Sequence, residues 1–165
     1  MSLVSPGLYL GSKRSSENLK WLQETGITLV VNVSDDLPCL HADSGGIDYV
    51  RVDLQDLPSA DLLGSITSTS PTSPLPSISH ALSSKNSSVL VHCRAGSSRS
   101  ASVVLAHLVS SGATLMEAYK AVAAVHPIKP NRGFTAQLIE FEIGIRGEAS
   151  VVIDGFGNWK APSPP

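Results

Sequence analysis

Short apolar runs alternate with longer amphipathic stretches along most of this chain. Three runs rich in β-branched residues predict buried strands, at 27–33, 47–54 and 89–93. The first run is almost continuously apolar, as in a parallel sheet that is covered on both faces. Strands that alternate with helices, followed by three helical stretches in a row, predict an α/β fold with a central mixed, mostly parallel sheet flanked by helices.

Side chains that commonly cap helices stand before each helical stretch. The first helix is expected to end near Gly26, and the last to run to about Arg146. The expected caps are Ser15 or Ser16, Ser59 or Asp61, Thr114 with Glu117 as a capping box, and Asn131.

Residues 67–80 are rich in serine and proline, and three prolines at this density cannot lie inside a helix. We therefore expect a short helix, a surface loop, and a second short helix through Leu82. A flexible loop is the favoured interpretation. The alternative is a regulatory site, because Ser70 and Ser73 each precede a proline, as proline-directed kinases require.

The bulk composition excludes several classes of protein. The chain has 165 residues, enough for one domain with a sizeable core, and a net charge of −2. That charge argues against binding to nucleic acid or to a membrane surface, and no apolar run is long enough to span a bilayer. Two cysteines give no disulfide framework. A reducing compartment is therefore expected, the cytoplasm first and the nucleus as a second location.

The most informative segment lies where the third apolar run ends. His92-Cys93 is followed by five residues, then by Arg99-Ser100 and a helical pattern. A loop between a strand and a helix turns its backbone N–H groups inward, and these donors, together with an arginine fork, suit a tetrahedral oxyanion. The same positive field favours a thiolate over a thiol at Cys93, which makes it a candidate nucleophile.

Each position of this loop has an expected role. Gly96 permits a positive φ or a close backbone approach. The hydroxyl of Ser100 is placed to hydrogen-bond the sulfur when it leaves. The expected phosphate-binding residues are Arg94, Ala95, Gly96, Ser97, Ser98 and Arg99.

The segment from His92 to Ala101 resembles the active-site loop of the cysteine-dependent dual-specificity protein phosphatases. The resemblance covers roughly residues 6–146 and is nearest to the small atypical members, which lack a docking domain. It implies a fold like that of the protein tyrosine phosphatases, with a catalytic domain at 1–150 and a C-terminal tail at 151–165. Further matching segments are Pro6–Gly11, Gly26–Ser34, Tyr49–Asp56 and Lys129–Phe134.

The resemblance also implies a general acid that protonates the leaving group, and three aspartates compete for this role. Asp56 follows the predicted strand, and Asp56-Leu57-Pro58 is similar to the Asp-x-Pro of several small family members. Asp61 fits the usual spacing to Cys93 better, although it is also a good helix cap. Asp53 lies within the strand and is expected to be structural. Asp56 is the preferred acid.

Three other residues have open interpretations. His92 is expected to orient the loop from the strand end. Cys39 is either a half-buried thiol in a loop or a reversible disulfide partner of Cys93 under oxidation. Trp159 either packs in a hydrophobic groove or anchors a partner.

The expected function is hydrolysis of phosphotyrosine and phosphoserine or phosphothreonine in proteins through a phosphocysteine intermediate. No metal or other cofactor is implied, and phosphoproteins are the expected partners, with neither nucleic acid nor membrane. The oligomeric state stays open. The alternatives are a phosphatase of phosphoinositides or RNA ends, and a weakly active pseudophosphatase that binds phosphate.

Overall fold

The structure, a computed structural model, describes residues 1–43, 46–68, 70, 72–155 and 157–162. The strands in these ranges are β1 Ser2–Ser5, β2 Leu8–Ser12, β3 Ile27–Val33, β4 Asp48–Val52, β5 Ser88–Cys93, β6 Val152–Ile153 and β7 Trp159–Lys160. The helices are α1 Lys13–Glu17, α2 Leu19–Glu24, α3 Leu62–Ile66, α4 Pro74–Ser83, α5 Arg99–Ser110, α6 Leu115–Val125 and α7 Arg132–Arg146. None of these helices is both long and apolar enough to cross a lipid bilayer.

One five-stranded sheet forms the centre of the domain, in the order β1-β2-β5-β3-β4. The β1–β2 pair is antiparallel and the three other pairs are parallel, which confirms the predicted mixed, mostly parallel sheet. Since the parallel strands all end at one edge, the loops that follow β3, β4 and β5 meet there. Cys93, the last residue of the central strand β5, lies at that edge.

Helices cover both faces of the sheet. The larger core lies between the sheet and α3 to α7, and α5 is buried along most of its length. A smaller cluster under α2 includes Leu22, Val30 and Leu90. Leu90 contacts this cluster whereas Val89 and Val91 contact the larger core, because successive strand side chains point to opposite faces. The continuous apolar runs reflect this burial on both sides.

The expected first helix is divided into two, and its expected cap, Ser15 or Ser16, is wrong, whereas Asp61, Thr114 with Glu117, and Asn131 cap their helices as predicted. Ser15 and Ser16 lie within α1, whose N-cap is Ser12. α2 begins after Asn18, whose side-chain oxygen accepts a hydrogen bond from the N–H of Trp21 at 3.1 Å. Asparagine is a strong cap, and it restarts the helix at this point.

The Ser/Pro-rich segment interrupts a helix as predicted, between α3 and α4. The expectation that the prolines lie outside helices is wrong for two of them, since Pro74 and Pro76 are in the first turn of α4, where a backbone N–H would have no partner within the helix. Ser73 is buried, and its hydroxyl donates to the carbonyl of Ile66 at 2.9 Å, closing the segment at its base. Residues 69 and 71 lie outside the described residues, and phosphorylation at Ser70 or Ser73 stays a prediction.

The structure differs from the expected tail at 151–165, because the chain packs on the domain as far as Lys160. Val151 is buried in the larger core, and β6 pairs with β7 in a small antiparallel sheet. Trp159 stacks on Tyr119 of α6, with ring centroids 4.2 Å apart and planes 12° from parallel. Packing is thus the observed arrangement for this tryptophan. Residues 163–165 lie outside the described residues.

Candidate active site

The sulfur of Cys93 lies at the base of the loop that joins β5 to α5. The residue is only 1% exposed, and its Sγ accepts hydrogen bonds from the N–H of Gly96 at 3.2 Å and the hydroxyl of Ser100 at 3.1 Å. Donors of this kind stabilise negative charge on sulfur. The loop therefore surrounds the sulfur of Cys93 with hydrogen-bond donors.

Gly96 lets the loop pack directly on β2. Its φ of +82° is strained for other residues, and a Cβ at this position would lie 2.7 Å from the carbonyl oxygen of Gly11. The N–H of Lys13 also donates to the carbonyl of Arg94 at 3.2 Å. Both contacts fix the loop to the strand beside β5.

Arg99 lies under the same loop, with its side chain 8% exposed. Its Nη1 is 3.3 Å from the hydroxyl of Ser34, 3.3 Å from the carbonyl of Leu54 and 3.4 Å from Oδ1 of Asp35. These partners belong to the loops after β3 and β4, so both loops hold the guanidinium. Its Nε is buried and has no hydrogen-bond partner in the described part of the chain.

The three competing aspartates occupy different places. Oδ1 of Asp56 accepts hydrogen bonds from the hydroxyl of Ser98 at 2.7 Å and from Nδ2 of Asn131 at 2.9 Å, and its Oδ2 is 3.8 Å from Nε of Arg99. Asp61 caps α3 by accepting from the N–H of Gly64 at 2.8 Å. Asp53 was expected within the strand but lies directly after β4, and it accepts from Nε of Arg51 at 2.5 Å. The structure brings only Asp56 of these three to the Cys93 loop.

Helix α7 fixes the position of the loop that carries Asp56. Besides the contact from Asn131, Gln137 accepts from the N–H groups of Leu62 and Leu63 and donates to the carbonyl of Ala60 at 2.9 Å. A Cβ on Gly133 would lie 2.7 Å from the Cα of Pro58, so this glycine permits close backbone contact. Asn131 also has the helix-capping role predicted from the sequence, because its Oδ1 accepts a hydrogen bond from the N–H of Phe134 at 3.0 Å.

A polar segment after β3, Ser34–Asp36, has no functional role assigned to it from the sequence. Asp35 and the hydroxyl of Ser34 contact Arg99, as described above. Asp36 forms an ion pair with Arg94 and accepts a hydrogen bond from Ser34. Its position at the end of a strand next to β5 was the available signal. Among the described residues, no three His, Cys, Asp or Glu side chains lie together as a metal site requires.

His92 lies within the sheet, one residue before the nucleophile candidate. It is 1% exposed, and burial lowers the pKa of its imidazole from 6.5 to about 4, an effect that the Cys93 backbone offsets only in part. The ring is therefore neutral at physiological pH and adds no charge beneath the loop. Cys39 is partly buried and near Asn32, whose Nδ2 is 3.7 Å from its sulfur. A disulfide between the cysteines stays a prediction.

Most of the chain is similar to known proteins in sequence and in fold. Residues 8–143 match the family model for the dual specificity phosphatase catalytic domain. Mouse dual specificity protein phosphatase 14 is 35% identical over 150 residues, which cover 90% of this chain and 72% of that protein. The crystal structure of human DUSP28 superposes with a TM-score of 0.80 at 33% identity, covering 89% of this chain and 99% of that one.

A second solved structure, a mouse dual specificity phosphatase complexed with zinc tungstate, has a TM-score of 0.79 at 34% identity and covers 88% of each chain. The family model spans almost the same residues as the resemblance seen in the sequence, and both similar structures share the fold. This chain belongs to the family of dual specificity protein phosphatases.

Proposed function

We propose that the chain hydrolyses phosphate monoesters of tyrosine and of serine or threonine in proteins, with Cys93 as nucleophile and Asp56 as general acid. The observation that carries this proposal is the hydrogen bond between Ser98 and Asp56, at 2.7 Å. It ties a carboxyl group to the loop that surrounds the sulfur. The sulfur that attacks phosphorus and the carboxyl group that protonates the leaving group therefore lie at one site.

In the first step, the thiolate of Cys93 attacks phosphorus and a sulfur–phosphorus bond forms. The bond from phosphorus to the ester oxygen breaks, and that oxygen takes the proton of the Asp56 carboxylic acid. The products are the free alcohol or phenol, a phosphocysteine, and an aspartate. Both partners of the Asp56 oxygen, Ser98 and Asn131, orient the carboxyl group.

In the second step, Asp56 accepts a proton from a water molecule that attacks phosphorus. The sulfur–phosphorus bond breaks, inorganic phosphate leaves, and the electron pair returns to sulfur. The hydroxyl of Ser100, 3.1 Å from Sγ, stabilises the thiolate as it leaves. Asp56 ends the cycle protonated, ready for the next ester.

Arg99 and the loop amides supply the positive charge that the phosphoryl group needs, which is why no metal or other cofactor is proposed. Nε of Arg99 is buried without a hydrogen-bond partner among the described residues, although Oδ2 of Asp56 lies 3.8 Å away, and a phosphoryl oxygen would supply that hydrogen bond. The mouse relative that was solved with zinc tungstate supports this, since tungstate is a tetrahedral oxyanion like phosphate.

Protein substrates are favoured over phosphoinositides or RNA ends because the similar proteins are named as protein phosphatases. A pseudophosphatase is disfavoured because the sulfur, the arginine and the acid are all present at the site.

We further propose that the chain acts in the cytoplasm and the nucleus, where thiols stay reduced.

Phosphate release from an aryl phosphate under reducing conditions tests the proposal. The wild type, Cys93→Ser and Cys39→Ser are compared, the last as a matched control at the other cysteine. We expect activity in the wild type and the control and none in Cys93→Ser. Activity that survives in Cys93→Ser would refute thiolate catalysis, and an inactive wild type would favour a phosphate-binding module.

A further inference from the structure

A large groove lies beside the active site, between the start of α7 and the small β6–β7 sheet. It has a volume of about 1020 Å³, at the upper end of the range for binding pockets. One wall is the face of α7 that carries Arg132 and Ile139, and the other includes Trp159. Because β6 and β7 follow residue 143, this second wall lies beyond the segment that the family model matches.

Two cations without ion-pair partners line the groove. The side chains of Lys129 and Arg132 are exposed, and neither forms an ion pair with a described residue. The one acidic residue among the described lining, Asp154, is paired with Lys160 at 2.9 Å. The groove is therefore positive, although the whole chain carries a net charge of −2.

The aromatic wall is held in place by stacking. Trp159 lies against Tyr119, which also lines the groove, and Ile139 adds apolar surface. Partly exposed aromatic and aliphatic surface of this kind holds the stems of long side chains, while cations select the charge at their ends.

The groove continues into the catalytic loop. The N–H of Lys129 donates to the carbonyl of Ser97 at 2.7 Å, and Asn131, two residues later, holds Asp56. A polypeptide whose phosphorylated residue occupies the Cys93 loop therefore has adjacent residues within reach of this groove.

We propose that this groove binds an acidic stretch of the substrate polypeptide next to its phosphorylated residue. Lys129 and Arg132 pair with Asp or Glu side chains there, and Trp159 packs on their aliphatic stems. This inference rests on the proposed function, because it names the class of phosphoprotein that the same site selects. The consequence is a preference for acidic substrate sequences that small phosphate esters do not reveal.

The test compares kcat/KM for three substrates: an aryl phosphate, a phosphotyrosine peptide with glutamates on both sides, and the same peptide with glutamines. The variant is the double replacement Lys129→Glu and Arg132→Glu. The control is Lys20→Glu with Lys85→Glu, which changes the net charge equally at lysines outside the groove lining. Lys20 lies on α2, on the opposite face of the sheet from α7.

We expect the groove variant to lower kcat/KM for the glutamate peptide by about tenfold, and to change it for the other substrates by less than about twofold. The control should leave all three values unchanged within that range. The selectivity should also decline at about 1 M salt, where the Debye length falls to about 3 Å.

Equal losses for all three substrates would overturn the proposal, because the cations would then only attract the phosphate group. Full retention of glutamate selectivity would overturn it as well. A change in oligomeric state on sedimentation, without loss of selectivity, would assign the groove to a second copy of the chain. If the wild type does not hydrolyse the aryl phosphate, the proposed function fails; affinities of the Cys93→Ser protein for the two peptides then decide whether the groove selects acidic segments.

Discussion

The buried imidazole of His92 should make the stability of this protein depend steeply on mild acid. Its pKa is lowered from 6.5 to about 4 in the folded state, because burial disfavours the charged ring. At ~1.4 kcal/mol per pKa unit, this difference corresponds to about 3 kcal/mol of folding free energy. That is a large share of the 5–15 kcal/mol that typically stabilises a domain (about 10 kcal/mol at the centre of the range).

The direction follows from proton binding. Between pH 6.5 and about 4, the unfolded chain binds a proton at His92 that the folded chain does not. The contribution is fully present above pH 6.5 and is lost as the pH falls through this window to about 4. His107 and His126 act in the same direction, because burial lowers their pKa values too.

Denaturant unfolding at several pH values between 7.5 and 4, for the wild type and His92→Asn, measures this contribution. The asparagine does not titrate, so the wild type should lose about 3 kcal/mol more than the variant across the window. The other histidines and the carboxylates titrate in both proteins and cancel in the difference. Parallel pH profiles for the two proteins would refute the reasoning, whatever their absolute stabilities.

Four further substitutions test the site and its supports. Asp56→Asn should lower kcat on alkyl phosphates by roughly 10²- to 10⁴-fold. Asp61→Asn should leave both turnover and stability nearly unchanged, because asparagine can still accept the hydrogen bond from Gly64 that caps α3. The reverse pattern in steady-state kinetics would assign the acid to Asp61. Gly133→Ala should push the Pro58 backbone away, and so reduce turnover of alkyl phosphates more than that of activated aryl phosphates; equal effects on both would contradict this. Glu142 is fully buried and accepts three hydrogen bonds, so Glu142→Gln should destabilise the fold by about 1–3 kcal/mol in denaturant titrations, and an unchanged midpoint would count against this role.

The sheet could be predicted because its signal is local. The run from Ile27 to Val33 is apolar on both faces, and the structure buries both faces. The prediction of a single first helix was wrong for an equally local reason, because the capping role of Asn18 was overlooked. The packing of Trp159 was left open as one of two alternatives because its support is distant: Trp159 stacks on Tyr119, forty residues earlier, and neither residue alone indicates the contact.

The catalytic loop could be identified because Cys93 and Arg99 are close in sequence and the strand-to-helix pattern positions both. The choice between Asp56 and Asp61 depended on a spacing that the Ser/Pro-rich segment alters, and only the fold shows which carboxylate lies over the loop. Asp35 and Asp36 have no distinctive local sequence. Their contacts with Arg99 and Arg94 arise from the order of the strands, which the sequence pattern alone does not specify.

The strand order has a consequence for how activity is lost under stress. β5, which carries the proposed nucleophile, has a neighbour on each side, whereas β4, which leads to Asp56, is an edge strand with one neighbour. Edge elements open at lower free energy than central ones. A partly opened molecule therefore keeps its phosphate-binding loop but releases its acid. As the denaturant concentration rises, the protein should first lose turnover of substrates with poor leaving groups. Turnover of substrates with good leaving groups should be lost only at higher denaturant concentration.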